Sequence, residues 1–247
     1  NWIFSLFKRN IIYNLKKKIT IDGNNFNQTS LDELFHYYGS DKANIFKNKN
    51  REGHGYSNFY TKHLDNFKNE KINILEIGSY AGASAAAFKK YFFNSNIYCF
   101  DVNISNFKYK SKNIHVYGLD ISNETRVIKT LNKIFNKYQF TSFDLIIDDG
   151  SHNLKDILFS LNFFFKYLKK TGTFIIEDFK HPNYYQYNRN INHILMDVFL
   201  ENIKNKKYSK SSIINNEEQK YLMDSIDQID VHKGNLRDSD ICFIKKK

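Results

Sequence analysis

The stretch Asp148-Asp149-Gly150-Ser151-His152 sets two carboxylates and an imidazole within one short segment, and Glu177-Asp178 adds two more carboxylates further on. Each group follows a short apolar run, at 143–147 and 173–176. Carboxylates held this close repel one another unless a cation neutralises them, and oxygen donors suit a hard ion such as Mg²⁺, Mn²⁺ or Ca²⁺. An imidazole beside them can accept a proton near neutral pH, which makes His152 a candidate general base. A plainer reading has Asp149 cap a helix and His152 stand there incidentally. That reading leaves the Glu177-Asp178 pair unexplained.

A second constellation is Glu76-Ile-Gly78-Ser79-Tyr80-Ala-Gly82-Ala-Ser84, which joins an apolar run to an Ala-rich segment. Glycines in such a turn let the backbone approach a ligand, and the helix start offers free N–H groups. It is not the dinucleotide pattern GxGxxG, because Tyr80 occupies the middle glycine position. Asp101 ends the next apolar run, roughly 20 residues on, where a carboxylate can accept hydrogen bonds from both hydroxyls of a ribose. Asp120 follows the third run, within reach of an adenine.

The elements that must position these groups are legible in the hydrophobic pattern. Short apolar runs at 72–77, 97–100, 114–117, 143–147 and 173–176 predict strands, and helices are expected over 83–93, 124–138 and 153–168. Strands alternating with helices call for a parallel sheet covered on both faces, with ligands outside the carboxyl ends of the strands. Glu76, Asp101, Asp120, Asp148, Asp149, Glu177 and Asp178 all fall there. Runs at 226–231 and 241–244, around a turn at Lys233-Gly234-Asn235, predict a closing antiparallel pair. Upstream, Ser30 and Glu33 form a capping box for a helix ending at Tyr38-Gly39. A loop over 40–55 and a helix over 58–69 follow, and a polar stretch over 22–30 precedes. Residues 1–18 predict an amphipathic helix, with Ile3, Phe4, Phe7, Ile11, Ile12 and Leu15 at helical spacing, interrupted by Lys8 and Arg9.

The 247 residues are ample for a sizeable core, and 41% hydrophobic with 17% aromatic residues excludes a disordered chain. One proline and ten glycines exclude collagen-like and Pro-rich classes. The net charge of +11 favours anionic partners, but its lysines are scattered as on a solvated face. Cys99 and Cys242 sit in apolar runs without metal-ligand spacing, as expected of reduced core residues in a cytoplasmic protein. No run approaches the ~20 apolar residues of a membrane span, and no signal-peptide cleavage site is seen. The N-terminal helix suits packing between copies or a membrane-peripheral placement.

The acid ahead of a glycine-rich turn after the first strand, with an acid after the second, resembles the class I S-adenosylmethionine (SAM)-dependent methyltransferases over 72–247. Asp149-Gly-Ser-His152 with Ile176-Glu177-Asp178 resembles the metal-dependent sugar O-methyltransferases of the mycinamicin type. Tyr38-Gly-Ser-Asp41-Lys42, His54-Gly-Tyr56 and Tyr60 extend that resemblance to 31–247. The resemblance implies a Rossmann-like, doubly wound α/β fold with a mostly parallel sheet, a helical arm and active-site cover over 1–70, and a methyltransferase domain over 71–247. It implies SAM and Mg²⁺ (or Mn²⁺ or Ca²⁺) as cofactors, and Asp149, Glu177 and Asp178 as metal ligands. His152 would be the base, with Asp149 beside it. Glu76, Gly78, Ser79, Tyr80, Gly82, Ser84, Asp101 and Asp120 would line the SAM pocket, with Asp148 supporting it. Lys42, His54, Tyr56 and His181 are candidates for substrate contact.

The activity so implied is O-methylation of a sugar hydroxyl. The acceptor would be a nucleotide-activated sugar, a glycan of a bacterial surface polysaccharide or a glycosylated metabolite, and the enzyme a homo-oligomer. Three alternatives stand beside it. A catechol-type O-methyltransferase typically shows Asp-Asn after the fifth strand, where this chain has Glu177-Asp178. A nucleic-acid methyltransferase acting on base amino groups tends to carry Asn/Asp-Pro-Pro-aromatic after the fourth, and the only proline here is Pro182. A non-catalytic SAM-binding module would have no need of the carboxylate and histidine set.

Overall fold

The computed structural model of the chain describes residues 2–23, 26, 29–191 and 194–247, the side chains of residues 2 and 3 excepted. The expected polar stretch at 22–30 therefore lies partly outside the described residues, as does Ile3 of the expected helical pattern. The chain divides into two compact units, Asn1–Phe140 and Thr141–Lys247.

In the first unit, helices α1 (Trp2–Leu15), α2 (Leu31–Tyr38) and α3 (Ser57–Leu64) precede an alternating run. That run is β1 (Asn73–Ile77), α4 (Ala83–Tyr91), β2 (Asn96–Asp101), β3 (Ile114–Gly118) and α5 (Glu124–Tyr138). The strands pair in parallel, Glu76 opposite Cys99 and Cys99 opposite Val116. The capping box at α2 is formed: the Ser30 side chain accepts from the Glu33 N–H while Glu33 accepts from the Ser30 N–H, and Gly39 closes the helix at φ 78°. At α5, Asn123 caps the Arg126 N–H, and Val127, Leu131 and Ile134 form the buried stripe that holds the helix down. Truncating Leu131 to Ala would cost about 2–5 kcal/mol. The Phe88 ring of α4 packs against Phe35 of α2 and Tyr60 of α3, at 5.2 and 5.1 Å between centroids.

The second unit holds β4 (Phe143–Asp148), α6 (Leu154–Phe164), β5 (Leu168–Ile176), α7 (Met196–Lys204), α8 (Asn216–Ser225), β6 (Ile226–Lys233) and β7 (Asp240–Lys246). β4 and β5 are parallel, whereas β7 runs antiparallel to both β5 and β6. Every residue of β4 is buried, as a strand covered on both faces requires. The expected α/β class, mostly parallel pairing and closing antiparallel pair are all present.

Boundaries differ where local chemistry intervenes. β5 starts at Leu168, ahead of the expected 173, because Thr171 takes φ 61° and the register against β4 shifts there. Gly172 is required at that irregularity: a Cβ would lie 2.7 Å from the Asp144 carbonyl oxygen. The helix expected over 58–69 stops at Leu64 and tightens into a 3₁₀ turn, Asp65–Phe67, where the Asp65 carboxylate accepts from the Tyr91 hydroxyl at 2.7 Å. The helix expected over 153–168 likewise ends at Phe164 in a 3₁₀ turn, Phe165–Tyr167. The expected loop over 40–55 contains a short antiparallel pair, Ile45–Phe46 with Arg51–Glu52.

Candidate active site

The turn between β1 and α4 is made largely of backbone. Gly78 (φ 86°), Tyr80 (φ 40°) and Gly82 (φ 75°) all occupy the left-handed region, which costs a non-glycine residue such as Tyr80 about 1 kcal/mol or more. The Tyr80 N–H donates to Asp101 Oδ2 at 2.7 Å, and the Asn103 N–H donates to Asp101 Oδ1. Asp101 thus ties its own loop to the turn, with lone pairs left for ligand hydroxyls. The Gly78 N–H donates to the Phe100 carbonyl at 2.8 Å and the Gly82 N–H to the Ser79 carbonyl at 2.7 Å. A Cβ on Gly82 would fall 2.4 Å from the Phe107 ring. Glu76, Ser79 and Ser84 are buried, while Tyr80 is largely exposed. Asp120 lies just beyond β3, where it accepts from the Ser122 N–H and hydroxyl, at 3.0 and 2.7 Å. The chemistry of this cradle, free helix-start N–H groups and carboxylates beside it, fits a ribose-bearing cofactor.

The second unit holds a site of a different make. Asp149 and His152 come from the loop that links β4 to α6, and Asp178 from the residues that follow β5. One donor atom from each of these three lies within 4.8 Å of the others. His152 Nε2 stands 3.7 Å from Asp149 Oδ1 and 3.9 Å from Asp178 Oδ2. His152 (φ 56°) and Asp178 (φ 50°) both occupy the left-handed region, so backbone strain falls on two members of the cluster. Two carboxylates and an imidazole at this spacing fit a divalent cation. Glu177 is buried and its N–H donates to the Asp148 carbonyl at 2.9 Å, but among the described residues it does not join the trio. Asp148 is buried with its carboxyl pushed up to about 6, chiefly by burial; Oδ1 accepts from the Gly150 N–H at 3.2 Å.

His181 opens a short helix, His181–Tyr184, and lies beside the cluster, its ring 5.5 Å from that of His152. Burial and the neighbouring His152 lower its pKa. The segment after Asp178 is fastened by buried Asp240, which accepts from the Tyr184 hydroxyl at 2.8 Å and from Lys233 Nζ at 2.9 Å. Arg189 closes it by donating to the Pro182 and Asn183 carbonyls. Sequence reasoning missed three residues here. The Tyr185 ring packs tilted against His181 at 4.3 Å between centroids, and exposed Tyr187 lies 5.7 Å from Tyr185, which extends the row of rings. Asp238 stands 3.9 Å from His181 and hydrogen-bonds Tyr185, which raises the Tyr185 pKa. The run Tyr184-Tyr185-Gln-Tyr187 was a visible signal for the rings; Asp238 had none. Of the other candidates, Lys42 and Tyr56 are buried inside the first unit, with the Tyr56 ring 5.2 Å from that of His54. Their placement is that of framework residues.

No protein-family profile matches the chain. It is 26% identical over 132 residues to demethylmacrocin O-methyltransferase of Streptomyces fradiae, covering 51% of this chain and 32% of the relative. It is 27% identical over 135 residues to mycinamicin VI 2''-O-methyltransferase of Micromonospora griseorubida, covering 51% and 31%. The chain spans about a third of the length of these curated relatives. In structure it matches the MycE methyltransferase of the mycinamycin biosynthetic pathway in complex with Mg, SAH and mycinamycin VI. That match has a TM-score of 0.65 at 19% identity, over 89% of this chain and 55% of that one. The chain shares the Rossmann-like α/β fold of that structure.

Proposed function

We propose that the chain is a SAM-dependent, divalent-metal-dependent O-methyltransferase that acts on a sugar hydroxyl. The observation that carries the reading is the convergence of Asp149, His152 and Asp178 at the ends of β4 and β5. It is supported by the similarity to two curated sugar-pathway O-methyltransferases and by the fold shared with MycE.

An alcohol is a weak nucleophile at neutral pH, so the site must help remove its proton. In this reading Asp149 and Asp178 would hold the cation, and buried Glu177, next in the chain to Asp178, would support the set. When bound, SAM supplies a methyl group on a sulfonium and the cation lowers the pKa of a neighbouring hydroxyl. His152 would take the hydroxyl proton at Nε2, a contribution of typically 10²–10⁴-fold. Asp149, 3.7 Å from that nitrogen, would stabilise the charged form of the imidazole. Gly78, Tyr80, Gly82, Asp101 and Asp120 would hold the cofactor, with Glu76, Ser79 and Ser84 shaping that cradle, while buried Asp148 would support the loop that carries Asp149 through the Gly150 N–H. His181, Tyr185 and Tyr187 offer a row of rings on which the apolar face of a sugar can rest. Residues 1–70 serve as arm and cover, and 71–247 as the methyltransferase domain.

The acceptor sugar is carried on a glycosylated metabolite, on a nucleotide or on a surface glycan. Nucleotide diphosphates and anionic glycans would use part of the +11 charge. The test is mass spectrometry of glycosylated macrolides and nucleotide-sugars incubated with the protein and SAM, in Mg²⁺ or EDTA. A gain of one methyl on a sugar, abolished by EDTA, is expected. Transfer only to a catechol would overturn the choice of acceptor, and transfer that survives EDTA would remove the cation.

A further inference from the structure

Helix α1 turns its apolar side away from the protein. Leu6 is buried, the Tyr13 ring meets Phe107 edge-on at 6.3 Å, and Arg9 donates to the Val102 carbonyl at 3.1 Å, which together hold one face of the helix down. On the opposite face Phe4, Phe7, Ile11 and Leu15 fall within roughly 80° of arc at 3.6 residues per turn. Phe4, Phe7 and Leu15 are 67%, 62% and 82% exposed, and Ile11 and Ile12 are 42% exposed. Scattered exposed apolar residues are ordinary; an aligned row on one helix is an interaction surface.

The charges around that row select the occupant. Residues 1–21 contain five cationic side chains, Lys8, Arg9 and Lys16 to Lys18, and no carboxylate. Lys8 and Lys17 are exposed, and Lys8 borders the apolar row. In a twofold pair the patch would meet itself, so Lys8 would approach its own copy with no acid on the helix to offset it. A handful of side chains also falls short of the ~800 Å² per partner of a stable interface. An anionic lipid surface suits both features: the apolar row enters the acyl boundary while exposed Lys8 and Lys17, on flexible stems, reach the headgroups, Lys16 and Lys18 donating instead to the Ser105 and Tyr13 carbonyls.

We infer that α1 is an interfacial anchor that seats this protein on an anionic lipid surface. No helix among the described residues is long and apolar enough to cross a membrane, so the helix lies along the surface rather than through it. The inference is independent of the reaction proposed above.

Co-sedimentation of the full chain with vesicles tests it, using equal parts phosphatidylglycerol and phosphatidylcholine against phosphatidylcholine alone. Binding to the anionic vesicles is expected, and Lys8→Gln/Lys17→Gln should weaken it by about 25-fold, five-fold per charge. Phe7→Asp/Leu15→Asp should weaken it by about 100-fold; both side chains are exposed, so the fold should persist, as circular dichroism would check. Absence of wild-type binding at millimolar lipid overturns the proposal, as does binding that Phe7→Asp/Leu15→Asp leaves unchanged. A wild-type dimer by sedimentation velocity that this variant dissociates, without vesicle binding, would make the row an interface between copies instead.

Discussion

The two units of the chain each carry a candidate site, and they are built from opposite materials. In the first, the turn from β1 to α4 is shaped by its backbone. Positive φ at Gly78, Tyr80 and Gly82 shapes it, and Asp101 spends hydrogen bonds on the Tyr80 and Asn103 N–H groups. In the second, the side chains of Asp149, His152 and Asp178 converge, with His152 and Asp178 at positive φ. A backbone cradle can hold the part of a cofactor that takes no part in the reaction. Bond making needs groups that gain and lose protons or hold an ion, which only side chains supply. The contrast predicts which substitutions abolish chemistry and which weaken binding or folding.

The largest effect should come from the side-chain site. Asp178→Asn should lower kcat/KM by on the order of 10³-fold while leaving SAM affinity within about two-fold, read by steady-state kinetics and calorimetry. His152→Ala should lower kcat by about 100-fold, and added imidazole should restore part of it at a rate that tracks the free base. If either variant lost SAM binding instead, the two sites would not divide as described. On the backbone side, Gly82→Ala introduces both an unfavourable φ and a clash with Phe107, and should destabilise the protein by about 2 kcal/mol, seen as a lowered Tm. Conserved Tm with wild-type SAM affinity would mean that the cradle tolerates a side chain there. The smallest effect is expected at the rim: Tyr187→Ala should raise KM for a glycosylated acceptor about five-fold with kcat and the KM for SAM unchanged.

How much of this was legible in the sequence follows the same division. The strands, α5 and the capping box at Ser30 and Glu33 rest on local pattern, and their apolar spacing found them. The acids at the ends of strands marked both candidate sites because they recur at the close of one apolar run after another, where an open parallel sheet binds ligands. What escaped notice depends on contacts between distant segments. Asp238 and Asp240 reach the segment after Asp178 only because β7 pairs antiparallel with β5. Helix α8 had a readable start in Asn215 and Glu218, a formed capping box that the strand–helix alternation did not bring into view. The early start of β5 was hidden by Lys169, Lys170 and Thr171, which carry no apolar alternation and are exposed. Burial of Lys42 runs against its residue type and could not be read from composition.

The central claim is that Asp149 and Asp178 hold a catalytic cation in a site distinct from the cofactor cradle. Electron paramagnetic resonance of Mn²⁺ titrated into the protein tests it most directly, alongside calorimetric titration of S-adenosylhomocysteine. The account predicts one bound Mn²⁺ per chain, lost in Asp178→Asn, with S-adenosylhomocysteine affinity the same in both proteins. Mn²⁺ binding that survives Asp178→Asn, or no binding by the wild type, would contradict it.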